Sequence, residues 1–406
     1  MDEPATSIEV KTAPPYQVTV GAGTLRRLLD FMPADWDHAM IVFPAAVSRW
    51  VLSLVDYLRD NGVEVHLLAV PDGEAAKSLR VAEAAWARLG EAMVNRGGGV
   101  VAVGGGATTD LAGFIAGTWQ RGVRVLHVPT TLLAMVDAAI GGKAAINTEQ
   151  GKNLVGVFHQ PTAVVCDPDV LSTLPREHIV SGMAEIIKAG LIKDPAILDV
   201  VWSGPQETLN PGGPLLPELI RRAVAVKADV VGQDPHESGL RAILNYGHTF
   251  GHAIEQAEHY EWLHGNAVAV GMVFAAEVAV RSGVMDPSLL GLHREILTSV
   301  GLPTSYKAGR WESLWQAMRR DKKNLGRTRR MVLLEDVGRP VVVQNVPEAL
   351  LEEAYQAVAA ARSSLPYPKA QSLENPYGQV PYIPPVDEEA AERAQRFAGW
   401  REARPQ

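Results

Sequence analysis

Residues 100–114 read Val-Val-Ala-Val-Gly-Gly-Gly-Ala-Thr-Thr-Asp-Leu-Ala-Gly-Phe, the pattern of a strand, a glycine turn and the start of a helix. Glycines let a backbone approach a pyrophosphate closely, and the first N–H groups of the following helix favour an anion. Thr109 stands where the dinucleotide-binding pattern G-x-G-x-x-G would place its third glycine. The stretch therefore predicts either a nucleotide site or a tight turn between a strand and a helix.

The residues around this turn alternate short β-branched runs with helical patterns up to about residue 175. Strands are predicted at Tyr16–Val20, Met40–Phe43, Val63–Leu68, Gly99–Val103, Val123–Val128 and Ala163–Asp167. Helical patterns lie between several of these strands, at residues 50–61, at residues 79–94 and from Leu25. Strands separated by helices indicate a largely parallel, doubly wound sheet.

The pattern changes after Pro175, where long helical periodicities dominate. Helices are predicted at about residues 177–193, 217–232, 238–258, 265–282 and 287–299, with a small hairpin at Met331–Leu334 and Val341–Val343. Residues 366–385 are rich in Pro and Tyr, which favours an extended arm. The sequence therefore predicts an α/β domain at residues 1–175, a mostly α-helical domain at residues 176–365 and a tail at residues 366–406.

Composition limits the classes of protein that the chain can represent. Its 406 residues suffice for two domains, and 47% apolar with 21% charged residues is ordinary for a globular protein. The net charge of −8 argues against a nucleic-acid partner. The longest apolar stretch, Ala267–Val280, contains Glu277 and is too short to span a bilayer. The single cysteine, Cys166, fits a reducing compartment, so we expect a cytosolic protein in which this thiol is buried and inert.

A polar stripe crosses the predicted helix 238–258. Its members recur at spacings of four, three and four, which places them on one helical face: Arg241, Asn245, His248 and His252. Gly247 and Gly251 weaken a helix by about 1 kcal/mol each, which indicates that something approaches the backbone closely. The stripe therefore faces either bulk water or a functional cavity. His248 and His252 could together bind one metal, as in H-E-x-x-H, although the glutamate of that motif is missing.

Other residues in the helical half also carry metal-ligating groups. Glu185 and Lys188 lie one turn apart on an apolar helix, and His264 follows the stripe. Two histidines and a carboxylate from separate elements match a catalytic zinc site with an open position. A lone histidine on an apolar helix is more often a satisfied core residue, so the argument depends on the convergence of several elements.

Hydroxyls, glycines and lysines are concentrated between residues 129 and 153. Thr130 and Thr131 follow a predicted strand, and Lys143 and Lys152 have glycine neighbours. Such lysines are suited to phosphate or carboxylate contacts, whereas each one alone would be read as a solvated surface charge. Their clustering favours an anionic ligand.

Together these stretches resemble the 3-dehydroquinate synthase family of sugar-phosphate cyclases over roughly residues 16–345. The matching motifs occur in the family's order: Gly104–Asp110, Gln120–Gly122, Pro129–Thr131, Val136–Asp137, Gly141–Lys143, Gly151–Asn153, Glu185–Lys188, Asn245–His252 and Leu263–Gly265. The resemblance implies a Rossmann-like N-terminal domain that binds NAD. It also implies a mostly α-helical C-terminal domain that binds a divalent metal, zinc or cobalt.

The resemblance assigns residues to each ligand. For NAD it implies Glu74, Lys77, Gly105, Gly106, Asp110, Thr130, Thr131, Asp137, Lys143, Lys152 and Thr173. For the metal it implies Glu185, His248 and His264, so that His252 belongs to the substrate pocket. For the substrate it implies Arg121, Asp137, Lys143, Asn153, Lys188, Lys227, Arg241, Asn245, His252 and Lys322. The implied catalytic residues are Lys143, Glu237, Asn245 and His252, and Arg121 would reach a neighbouring subunit's site, which implies a homodimer.

The implied reaction converts 3-deoxy-D-arabino-heptulosonate 7-phosphate into 3-dehydroquinate and phosphate, the second step of the shikimate pathway toward aromatic amino acids. The family's chemistry combines transient oxidation at C5, phosphate elimination, re-reduction and an intramolecular aldol closure. The enzyme is therefore a lyase with no net redox change. An acidic protein needs a local cluster of Lys and Arg to hold such a substrate.

The sequence departs from the family's pattern at two positions. Val42–Ala46 lacks the Asp that usually holds the adenosine ribose, and Asn266 stands where Glu is common. The alternatives are an amino-dehydroquinate or 2-epi-5-epi-valiolone synthase, an iron-type NAD-dependent polyol dehydrogenase, or a binding protein without catalysis. Arg241 with Asn245 favours a substrate that carries a carboxylate over a neutral sugar phosphate.

Overall fold

The computed structural model describes residues 5–320 and 330–360, and the chain divides into two compact units. The first comprises Met1–Leu174 with Val224–Ser238, and the second comprises Pro175–Ala223 with Gly239–Gln406. The first segment ends at Leu174, close to the predicted boundary after residue 175. The sequence did not predict that residues 224–238 belong to the first unit. The predicted tail, residues 366–406, lies outside the described residues.

The first unit contains a seven-stranded sheet. Its strands are β1 (Thr6–Val10), β2 (Tyr16–Val20), β3 (His38–Pro44), β4 (Glu64–Val70), β5 (Gly99–Gly104), β6 (Arg124–Pro129) and β9 (Ala163–Cys166). Between β6 and β9 the chain forms a separate antiparallel hairpin of β7 (Lys143–Thr148) and β8 (Gly151–Phe158). The sheet order is β1-β2-β9-β6-β5-β3-β4, and every pairing is parallel except that of β1 with β2. The expectation of a largely parallel α/β domain is confirmed.

The helices of this unit include α1 (Ser48–Asp60), α2 (Leu79–Glu91) and α3 (Gly106–Thr118). The central strand β5 is buried along its whole length, and apolar residues of α2 and α3 pack with it in one core cluster. A strand covered on both faces needs apolar side chains at every position, which explains the unbroken run Val100–Val103. The helix expected from Leu25 is instead a 3₁₀ segment, Thr24–Phe31, with a non-helical residue inside it.

The second unit is mostly α-helical, as expected. Its helices are α4 (Arg176–Ile192), α5 (Ala196–Ser203), the first part of α6 (Leu215–Gln233), α7 (His248–Ala257), α8 (His264–Arg281), α9 (Pro287–Ser299), α10 (Trp311–Arg320) and α11 (Glu348–Ala360). The predicted hairpin is confirmed as the antiparallel pair β10 (Arg330–Asp336) and β11 (Arg339–Gln344). Within residues 5–320 and 330–360 no helix has the length and apolarity needed to cross a membrane.

The prediction of one continuous helix over residues 238–258 is wrong. A 3₁₀ helix, Leu240–Asn245, ends at Tyr246, and α7 begins only after Gly247, whose φ of 80° is left-handed. A Cβ at Gly247 would lie 2.8 Å from the backbone nitrogen of Met272, and one at Gly251 would lie 3.1 Å from the carbonyl oxygen of Ala267. The close approach inferred from these glycines is therefore real, and the approaching element is α8.

Candidate active site and metal centre

Three helices of the second unit bring together a carboxylate and two imidazoles. Glu185 lies on α4, while His248 and His264 are the first residues of α7 and α8. Oε1 of Glu185 is 3.6 Å from Nε2 of His248 and 3.5 Å from Nε2 of His264. One ligand atom from each residue lies within 4.8 Å of the others, a separation that suits a shared divalent cation.

The second nitrogen of each imidazole has a partner of its own. Nδ1 of His248 lies 3.1 Å from the carbonyl oxygen of Tyr246, and Nδ1 of His264 lies 3.3 Å from Oε2 of Glu255. A carbonyl oxygen only accepts, so Nδ1 of His248 donates and Nε2 keeps the lone pair that a metal needs. Metal-binding histidines usually have such partners, which fix the tautomer and the ring orientation.

The charge around His264 also favours a cation. Burial alone would lower the pKa of this imidazole, but the nearby carboxylates of Glu255 and Glu185 raise it to about 10. Glu185 is buried and forms an ion pair through Oε2 with Lys188, which is buried as well. The donor set of one carboxylate and two imidazoles in this negative environment fits zinc or cobalt.

A second group overlaps the first: His252, Glu255 and His264 also present ligand atoms within 4.8 Å of one another. The ring of His252 lies 5.3 Å from that of His248 and 6.2 Å from that of His264, measured between centroids. Choosing this group would use Glu255 as a ligand and leave His264 without its hydrogen-bond partner. We therefore favour Glu185, His248 and His264 as the ligand set.

Glu255 was not predicted from the sequence. A signal existed, because His248, His252 and Glu255 stand at i, i+4 and i+7 and so share one face of α7. Two members of the predicted stripe, Arg241 and Asn245, lie on the preceding 3₁₀ helix and not on α7, because of the break at Gly247. Arg241 is 2% exposed, which makes it one of the most deeply buried charged side chains in the second unit.

Asn266 on α8 is fully buried. Neither its Oδ1 nor its Nδ2 has a hydrogen-bond partner among the described residues. A buried amide without partners is unusual in a folded protein. Asn266, which stands where Glu is common in the family, is therefore also a buried amide that forms no hydrogen bond with the described residues.

In the first unit, the glycine turn joins β5 to α3 as predicted. Gly105 precedes the first residue of α3, where no side chain caps the exposed N–H groups. A Cβ at Gly105 would lie 3.1 Å from Cγ2 of Thr131, and one at Gly106 would lie 3.0 Å from Cβ of Ala138. Close packing therefore leaves little room for a side chain at these glycines, while the uncapped helix start suits the pyrophosphate of NAD. Thr130 and Thr131 follow β6, the neighbour of β5.

Several residues predicted to bind NAD or substrate form one cluster in this unit. Nζ of Lys77 donates to Oδ2 of Asp110 at 2.6 Å and also to Oδ1 of Asn153, and only 2% of the Lys77 side chain is exposed. Burial raises the pKa of Asp110 to about 6, although the Lys77 charge opposes this shift. Glu74 accepts a 2.6 Å hydrogen bond from Asn147 and lies 3.6 Å from Nζ of Lys152.

Two further ion pairs in the first unit involve predicted substrate or catalytic residues. Lys227 pairs with Asp137, and Lys143 pairs with Glu237. Lys227 and Glu237 belong to residues 224–238, so the return of this segment to the first unit is what allows the two pairs.

Three predicted residues remain. The hydroxyl of Thr173 accepts from Nε1 of Trp50 at 3.3 Å. Arg121 is exposed and, like Gln120, has a left-handed backbone, with φ of 66° and 48° respectively. Consecutive left-handed residues other than glycine are strained, which indicates a constraint on where Arg121 is displayed. Lys322 lies outside the described residues.

Comparisons with known proteins identify the family of the chain. Residues 67–181 match the family model for the N-terminal part of 3-dehydroquinate synthase, and residues 182–324 match that for its C-terminal part. The 3-dehydroquinate synthase of Thermobifida fusca is 52% identical over 355 residues, which cover 87% of this chain and 96% of the relative.

Two solved structures are also similar. The first is a 2-epi-5-epi-valiolone synthase from Streptomyces hygroscopicus with NAD+ and Zn2+ bound; it is 28% identical with a TM-score of 0.78 and covers 85% of this chain and 96% of its own. The second is a 2-deoxy-scyllo-inosose synthase complexed with carbaglucose-6-phosphate, NAD+ and Co2+; it is 29% identical with a TM-score of 0.77 and covers 87% of this chain and 100% of its own.

Proposed function

Because the chain belongs to the 3-dehydroquinate synthase family, we propose that it converts 3-deoxy-D-arabino-heptulosonate 7-phosphate into 3-dehydroquinate and phosphate. The reaction is a phosphate-eliminating lyase step of the shikimate pathway, which leads to aromatic amino acids. The observation that carries the proposal is the convergence of Glu185, His248 and His264, whose ligand atoms lie within 4.8 Å of one another.

The cofactors are NAD and a divalent metal, Zn2+ or Co2+. When bound, NAD would supply a hydride acceptor and donor for C5 of the substrate, and the metal would supply Lewis-acid stabilisation of negative charge on the C5 oxygen. The uncapped start of α3, with Gly105 and Gly106, would hold the pyrophosphate. Glu185, His248 and His264 would hold the metal through Oε1 and the two Nε2 atoms.

The predicted substrate residues supply charge and proton transfer. Lys143, Lys188, Lys227 and Arg241 are the cations that would bind the phosphate and the carboxylate of the substrate. His252 is not needed as a metal ligand, and its imidazole has one nitrogen that can donate a hydrogen bond and one that can accept. Glu237, fixed by its ion pair with Lys143, would keep the Lys143 ammonium oriented toward the ligand.

A panel of sugar phosphates tests this proposal against the other cyclases. With Zn2+ and NAD bound, the chain should release phosphate from the heptulosonate phosphate and not from glucose 6-phosphate or sedoheptulose 7-phosphate, which lack the carboxylate. Buried Arg241 is the group expected to recognise that carboxylate. Phosphate release only from a neutral sugar phosphate would reassign the chain to another cyclase activity.

We also propose a homodimer and a cytosolic location. The strained, exposed turn at Gln120 and Arg121 supports the dimer, because it holds Arg121 where a second copy could receive it. The fully buried thiol of the single cysteine, Cys166, is consistent with a reducing compartment. Light scattering of the purified chain would test the first proposal, and a mass equal to one chain would contradict it.

A further inference from the structure

A buried pair of side chains, Tyr246 and His293, ties α9 to the segment before α7. Neither residue has any exposed surface. The hydroxyl of Tyr246 lies 2.8 Å from Nε2 of His293, and the two rings meet edge to face with their centroids 5.9 Å apart. The residues are 47 positions apart in the chain, so this contact is long-range in sequence.

The proton positions in this pair follow from its surroundings. Nδ1 of His293 lies 2.6 Å from the carbonyl oxygen of Leu289. Because a carbonyl oxygen only accepts, Nδ1 donates to it, and Nε2 of the neutral ring accepts from the Tyr246 hydroxyl. Burial lowers the pKa of His293 to about 4, which keeps the ring neutral and this direction of hydrogen bonding in place. The carbonyl oxygen of Met272, 3.4 Å from the same hydroxyl, is a weaker second partner.

The backbone of Tyr246 connects this pair to the candidate metal centre. Its carbonyl oxygen accepts the hydrogen bond from Nδ1 of His248 at 3.1 Å, and Nε2 of that ring lies 3.6 Å from Oε1 of Glu185. Gly247, between the two residues, has the left-handed φ that lets α7 begin at His248. The hydrogen bond from Nδ1 therefore ties the orientation of the His248 ring to that of the Tyr246 peptide.

We propose that His293 is a positioning residue for the metal ligand His248, acting through Tyr246. The proposal rests on the proposed function, because it assumes that Glu185, His248 and His264 bind the metal. The hydroxyl anchors one end of Tyr246 to α9 while the carbonyl orients His248. Partners that orient a metal-binding histidine typically contribute about 10- to 100-fold to metal affinity.

The test uses Tyr246→Phe, His293→Leu and the variant with both substitutions, each in the full chain. Co2+ affinity is measured by chelator competition, the Co2+ visible spectrum reports ligand geometry, and thermal unfolding of the metal-free protein reports stability. Each single variant should bind Co2+ about tenfold more weakly or worse and show an altered spectrum. Each also leaves one buried polar group without its partner, so its melting temperature should fall.

The double variant separates positioning from simple stability. It leaves neither member of the pair unsatisfied, so its melting temperature should recover toward that of the unchanged chain. Its Co2+ affinity should stay as weak as in the single variants, because Tyr246 is still not anchored. If affinity recovers together with stability, or never falls, the pair is only structural and the proposal is overturned.

Two further variants serve as controls. Tyr355→Phe removes another buried hydroxyl of the same unit, one that accepts from the backbone of Arg310 and donates to that of Lys307, and it should leave Co2+ affinity unchanged. His293→Gln keeps an oxygen that can accept from the Tyr246 hydroxyl and should restore most of the affinity.

If single variants do not fold, the double variant and His293→Gln decide the question. Absence of Co2+ binding by the unchanged chain would defeat the proposed function itself, whereas tight binding by all variants would defeat only this inference.

Discussion

Nδ1 of His264 donates toward Oε2 of Glu255 at 3.3 Å, while Nε2 of the same ring faces Oε1 of Glu185 at 3.5 Å. The ring thus lies between two carboxylates that can have different roles, one as a metal ligand and one as the hydrogen-bond partner that orients the ring. The two overlapping metal groups differ in the role that they give to Glu255, which is a ligand in only one of them.

Substitution of Glu255 distinguishes the two groups. Glu255→Gln should weaken Zn2+ binding by about tenfold, because the ring keeps an acceptor but loses the charge that favours its donation. The measurement is chelator competition, with Gln256→Ala, an exposed neighbour on α7, as the matched control. A loss of Zn2+ as complete as in His264→Ala would show that Glu255 is itself a ligand.

The histidines of the group should behave differently from one another. His264→Ala removes a ligand, and the purified protein should contain little Zn2+. His252→Ala should retain Zn2+ but turn over slowly, since His252 is proposed to act on the substrate. Metal content of both variants, measured with turnover, checks the assignment, and equal metal loss in both would refute it.

The buried pair of Lys77 and Asp110 predicts an effect on stability that depends on pH. Lys77→Met should lower the free energy of unfolding by about 3 kcal/mol near pH 7, the low end for a broken buried pair, because 19% of the Asp110 side chain stays exposed. Burial already raises the pKa of Asp110 to about 6, and loss of the Lys77 charge raises it further.

The sign of this pH dependence follows from proton binding. Between the ordinary pKa of an aspartate and the raised pKa of Asp110, the folded state binds more protons, so the stability of Lys77→Met falls as the pH rises. The deficit relative to the unchanged chain should be small below about pH 5, where Asp110 is protonated in the folded state of both chains. Lys77→Met with Asp110→Asn should show little of this dependence, and a deficit unchanged at low pH would contradict the account.

Arg121 predicts complementation between two inactive variants. If Arg121 reaches a neighbouring subunit's site, a dimer of one Arg121→Ala chain and one His264→Ala chain has a site with its own metal ligands and the partner's arginine. Random exchange of equal amounts should then restore about a quarter of the activity of the unchanged dimer, given a two-chain assembly. No recovery after verified exchange would place Arg121 in its own chain's site or outside the reaction.

Local patterns were enough to predict much of the fold and part of the candidate site. The parallel sheet, the turn after β5 and the helices near residues 176–192 and 264–281 follow from periodicity and from glycine placement within a few residues. Glu185 and His264 lie on these two helices, whereas His248 begins α7, whose start the periodicity did not locate. Short motifs were still enough to suggest all three as ligands.

Features that depend on distant packing were not predictable in this way. The break at Gly247 exists because α8 comes close to the backbone there, and a Cβ on Gly271 would lie 1.9 Å from the carbonyl oxygen of Gly247. The contact between Tyr246 and His293 likewise joins residues 47 positions apart. The hairpin of β7 and β8 was missed because its glycines and lysines were interpreted as ligand contacts and not as strand residues.

The central claim is tested most directly by following phosphate and NADH together during turnover of the heptulosonate phosphate. The purified chain, loaded with Zn2+ and saturated with NAD, should release one phosphate for each 3-dehydroquinate formed, with no steady increase in NADH absorbance. Steady NADH formation without phosphate would instead identify a polyol dehydrogenase. Absence of phosphate release with metal bound and NAD saturating would contradict the proposed function.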